Sequence, residues 1–83
     1  FDGHTPLHLA TDWQKVEVVE LLLQREDIEA NNQDNQGNTP LFIAAASGNT
    51  AITELLLNYK KIDSNIPDNL GRTPLYVAIA QRQ

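Results

Sequence analysis

His4, His8 and Asp12 stand four residues apart, a spacing that on one continuous helix turns two imidazoles and a carboxylate to the same face, as a zinc site requires. Thr5-Pro6 interrupts that helix. The Thr hydroxyl suits the capping position and Pro the first helical one, so the helix starts after His4 and the three groups are not expected to converge. No Gly-rich phosphate loop, Ser/His/Asp set or close carboxylate pair in a pocket-like context accompanies them. The 83 residues contain no cysteine, which excludes thiol nucleophiles, zinc knuckles and disulfides. The expectation is a chain with no catalytic residue, no metal and no cofactor.

Charge and hydropathy point instead to a choice of partners. The net charge of −5 argues against nucleic acid, which calls for a basic stripe. Residues 1–34 hold eight acids against Lys15 and Arg25, whereas residues 35–83 hold three acids and four bases. That asymmetry is either a solvated acidic face or a slight preference for a basic partner. No apolar run approaches the roughly 20 residues of a membrane span. With no cysteine the redox compartment is open, and a cytoplasmic location is the expectation. The absence of methionine, and a start at Phe1-Asp2-Gly3 inside a turn, suggest a piece of a longer polypeptide.

The elements that position these residues repeat. Thr5-Pro6-Leu7-His8-Leu9-Ala10 returns as Thr39-Pro40-Leu41-Phe42-Ile43-Ala44 and as Thr73-Pro74-Leu75-Tyr76-Val77-Ala78, each time after 34 residues. A fixed period of this size marks a solenoid, whose units bury their apolar faces only by stacking. Each Thr-Pro opens a short helix, running to about Asp12 or Trp13 in the first copy. A second helix, from about Val16 to Gln24, carries Val16, Val18, Val19, Leu21, Leu22 and Leu23. Ala51, Ile52, Leu55, Leu56 and Leu57 line its counterpart after the Ser47-Gly48-Asn49 break. Ile28 and Ile62 are single apolar anchors in polar loops. Asp34-Asn35-Gln36-Gly37 and Asp68-Asn69-Leu70-Gly71 have turn chemistry: the carboxylate bonds nearby backbone and Gly allows a positive φ. Overlaying residues 1–34 on 35–68 leaves twelve identities, all turn, cap and core types. The period therefore reports a repeated structural unit, not a repeated chemical site.

These motifs (turn Gly, Thr-Pro-Leu-His-x-Ala, a Leu-Leu-Leu helix, then Asp-x-x-Gly) closely resemble the ankyrin repeat, over essentially the whole chain. The resemblance implies an all-α solenoid of stacked helix-turn-helix units with β-turn fingers at about a right angle, and a concave side that binds other proteins. It implies no enzyme activity. The expected units are residues 1–34, 35–68 and a partial repeat over 69–83. The family period is about 33, and the extra residue falls between the Leu triplet and the Asp turn. The family's Gly between the helices is kept as Gly48 but is Gln14 and Arg82 in the other copies. A positive φ there costs each roughly 1 kcal/mol relative to Gly. The family His survives only as His8, with Phe42 and Tyr76 trading its hydrogen bond for packing.

On that pattern two rows are the expected partner-binding residues. One is the helix-end pair Asp12-Trp13, with Ser47 and Gln81 as later counterparts. Trp13 is the only large aromatic in its row and an anchor candidate; the alternative is that it packs over the neighbouring repeat. The other row is the finger tips: Asp2 and His4; Asn35, Gln36 and Asn38; Asn69, Leu70 and Arg72. Lys60-Lys61 is expected on the opposite, solvated side. The leading functional expectation is a scaffold that binds a protein partner. The alternative is a structural spacer within a larger enzyme or channel. Leu7, Leu9 and the Val77 to Ala80 helix are expected to expose apolar surface at the ends, to be covered by further repeats or by self-association.

Overall fold

Thr5, Thr39 and Thr73 each start a helix in the same way. Their Oγ1 atoms accept from the backbone N–H groups of His8 (3.3 Å), Phe42 (3.1 Å) and Tyr76 (3.2 Å). Each cap removes one of the unpaired donors at a helix start, and the following Pro lacks the donor that would otherwise stay unpaired. The computed structural model describes residues 3–81, so Phe1, Asp2, Arg82 and Gln83 lie outside it. Its helices are α1 (Pro6–Asp12), α2 (Val16–Leu23), α3 (Pro40–Ser47), α4 (Thr50–Leu57) and α5 (Pro74–Gln81), with no strand among the described residues.

α1 and α3 end alike. Gly48 adopts φ +74°, and the Gly48 and Asn49 N–H groups donate back to Ala45 and Ala44. At the first copy Gln14 is held at φ +57°, with Gln14 and Lys15 donating to Thr11 and Ala10. The left-handed turn is thus a property of the unit, and Gln14 adopts it at a cost that Gly48 avoids. It reverses the chain, so α2 packs on α1 and α4 on α3.

Across repeats, α1, α3 and α5 lie side by side as an inner layer and α2 contacts α4 in an outer one. Leu7, Ala10, Val19, Ala30, Leu41, Ala44, Ile52 and Leu56 form the core, with Ile28 and Ile62 packed against it. Phe42, Ala45 and Val77 form a second cluster between α3 and α5. Two expectations are corrected. Leu7 and Val77 are buried, because Leu7 belongs to the core cluster shared by α1 to α4 and Val77 to the cluster with Phe42 and Ala45. On α1 and α5 the large apolar residues that do face solvent are Leu9, Leu75, Tyr76 and Ile79. Likewise Val18, Leu21 and Leu57 of the outer helices face solvent, since a helix covered on one side buries only one stripe.

Candidate protein-interaction surface

The fingers are built from buried carboxylates. Asp34 Oδ1 accepts from the N–H groups of Gln36 and Asn38, both at 2.9 Å, while Asp34 N–H donates to the Asn38 carbonyl at 2.9 Å. Asp68 does the same for Leu70 (3.0 Å) and Arg72 (2.8 Å). The turn thereby satisfies its own donors, and its direction is set before any tip side chain matters.

The second oxygen differs between the two. Asp34 Oδ2 meets His4 Nε2 of the preceding finger at 3.1 Å. Asp68 Oδ2 accepts from Arg72 Nε (2.9 Å) and Nη2 (2.7 Å) of its own finger. Burial pushes the Asp68 carboxyl up, but the Arg72 side chain and the Arg72 and Leu70 N–H groups outweigh it and hold the pKa below the usual value. The Arg72 guanidinium also lies 5.6 Å from the centre of the Phe42 ring.

His8 ties the first repeat to the second. Its Nδ1 accepts from Thr5 N–H at 3.1 Å, which places the ring proton on Nε2, where it donates to the Asn38 carbonyl at 2.7 Å. Desolvation lowers the His8 pKa, against the opposing pull of that carbonyl and of Asp34. The His4 ring stacks on it with centroids 5.5 Å apart. Both imidazoles are engaged by repeat-to-repeat bonds, and Asp12 sits apart from them at the exposed end of α1.

Fingers are also stitched to one another. Asn69 N–H donates to the Gln36 carbonyl and Asn69 Nδ2 to the Asn35 carbonyl, each at 3.0 Å. On the loop side Asn31 donates to the Lys61 carbonyl and accepts from Asp63 N–H, and Gln33 Nε2 donates to the carbonyls of Gly37 and Pro67. Asn31 and Gln33 were not singled out in the sequence; the recurrence of Asn31 as Asn65 was the available signal.

The expected binding residues fall in two rows, at opposite ends of the inner helices. Asn35, Gln36, Asn38, Asn69, Leu70 and Arg72 surround one shallow groove between the second and third fingers. Leu70 is its most exposed apolar residue, at 77%. His4 is half-buried, and Asp2 is outside the described residues. Asp12, Trp13, Ser47 and Gln81 are exposed at the far helix ends, about 11 Å away along helices that rise 1.5 Å per residue. Trp13 is 65% exposed. Lys60 and Lys61 are exposed on the loop side, and no described helix is long and apolar enough to cross a membrane.

Paired helices with Thr-Pro starts, repeated every 34 residues and joined by carboxylate-capped fingers, define a helical repeat array. Comparison with protein families matches residues 26–83 to "Ankyrin repeats (3 copies)" and residues 2–35 to "Ankyrin repeat". The chain belongs to the ankyrin repeat family. Ankyrin repeats are generally protein–protein interaction modules and typically non-catalytic. A search of curated proteins finds no match.

Proposed function

We propose that this chain is a scaffold whose protein partner lies across the finger row and the exposed ends of the inner helices. The observation that carries this is the division of labour in each finger. Asp34 and Asp68 satisfy the turn backbone, so Gln36, Leu70 and their neighbours present side chains from a frame that already holds itself. Preformed backbone with outward side chains lowers the ordering cost of binding. The acidic surplus sits on α2 and the loop after it, as Glu17, Glu20, Glu26, Asp27 and Glu29. It therefore acts on long-range encounter with basic parts of a partner more than on contact chemistry.

A spacer role gains support from one observation: Asn35 and Asn69, both expected recognition residues, engage in finger-to-finger bonding. The two readings separate in a capture experiment with the full-length protein as bait. Trp13→Ala combined with Gln36→Ala and Leu70→Ala should leave the melting temperature nearly unchanged and weaken partner capture. Trp13→Ala alone should cost about 2 kcal/mol of affinity if it anchors the partner. Undiminished capture by the triple variant would sink the scaffold reading in favour of the spacer.

A further inference from the structure

We propose that the Arg72 guanidinium receives an aspartate or glutamate side chain of the protein partner, an inference that rests on the scaffold reading above. A guanidinium has five N–H donors in a planar fork. Asp68 Oδ2 takes Nε–H and one donor of Nη2, along the side of the fork. Among the described residues the other Nη2 donor and both Nη1 donors have no acceptor. The free Nη2 donor and one of the Nη1 donors form the end-on edge, which matches a second carboxylate bidentately.

The surroundings favour that occupant. Arg72 lines the groove between the second and third fingers with Gln36, Asn38, Asn69 and Leu70, and its side chain is 45% exposed. Asp68 is the one acid lining that groove, and both its oxygens are already filled, so it does not compete for the open edge. The fork is also held in place, by Asp68 on one side and the Phe42 ring beneath, so docking a carboxylate freezes few further rotors. The Gln36 and Asn38 amides offer neutral donors beside it, and exposed Leu70 gives an apolar neighbour for the partner residue next to the acid. The groove of the second and third fingers thus offers open N–H donors for contact, although the chain as a whole is acidic.

The test is selection of random peptides displayed on phage against the intact chain, scored as Glu over Gln and Asp over Asn in the enriched sequences. Wild type should favour the acids by about tenfold, the preference expected of one charge-assisted bidentate contact, and high salt should erode it. Arg72→Gln should bring the ratio to about one while peptides still enrich. Because Arg72 also braces its finger, Arg72→Lys is run in parallel: it keeps the positive charge and loses the planar fork. That variant should hold a weaker acid preference than wild type. An acid preference that survives Arg72→Gln, or stays at the wild-type level in Arg72→Lys, overturns the inference and leaves the scaffold intact. A wild-type chain that enriches no peptide overturns the scaffold reading and this one with it.

Discussion

Gly37 approaches Asn69 so closely that no side chain fits between the second and third fingers. A methyl at residue 37 would stand 2.5 Å from Asn69 Oδ1 and 2.6 Å from its backbone nitrogen, where the donor to Gln36 sits. Gly71 has the same left-handed φ, at +80°, but nothing within 4 Å of its missing Cβ. Gly71→Ala should therefore cost about 1 kcal/mol for conformation alone. Gly37→Ala should cost a further 1–3 kcal/mol, because backbone must move. Urea unfolding of the two variants makes the comparison, and equal losses would show that the fingers stand apart in solution.

Gln14 bears a strain that its own chain shows how to remove. It holds φ +57° where the next repeat has Gly48, and among the described residues its side chain makes only a long, exposed bond with Asn49 at 3.4 Å. Gln14→Gly should stabilise by about 1 kcal/mol. A lowered denaturation midpoint would mean that the Asn49 contact outweighs the backbone strain.

Thr11 is fully buried and its hydroxyl finds no partner among the described residues. The corresponding residue in the next repeat is Ala45, which has nothing to satisfy. Thr11→Val keeps the shape and removes the unmet hydrogen bond, and should raise stability by about 1 kcal/mol. Calorimetric melting decides the sign; a loss would indicate that the hydroxyl bonds the helix carbonyl before it.

The His8 bridge gives the fold a pH dependence of known sign. Both ring nitrogens are used in the neutral form, and burial lowers the folded pKa below 6.5, with His4 and Asp34 as the titratable neighbours. Between that lowered value and 6.5 the unfolded chain binds the extra proton. The stabilisation is complete above 6.5, and it is lost as pH falls through the folded value. His8→Phe, which copies Phe42, should flatten this slope in denaturant midpoints taken across the window. A slope unchanged in His8→Phe would assign it to other groups.

Much of the frame was legible in the sequence because its causes are local. Thr-Pro caps, Asp-x-x-Gly turns and the 34-residue period act within a few residues of themselves, and they return in the structure as helix starts and fingers. What escaped depends on neighbours. Leu7 and Leu9 look alike in the sequence, yet one closes the core and the other meets solvent, since only the packing of α2 and α3 decides which stripe is covered. Asn69 reads as a tip residue, but an amide beside another backbone bonds it as readily as water, and that neighbour comes from a turn 34 residues earlier. Arg72 was legible as exposed and variable; its brace by Asp68 and Phe42 was not.

The repeat-to-repeat seam is apolar in the middle and polar at both margins, with the Asn69–Gln36 stitch at the fingers and the Asn31–Asp63 stitch at the loops. Such a joint flexes like a leaf spring. Slippery core contacts serve as the neutral line, and the directional bonds at the rims stretch first when curvature changes. A change in curvature therefore strains one rim at a time, the Asn69–Gln36 stitch or the Asn31–Asp63 stitch.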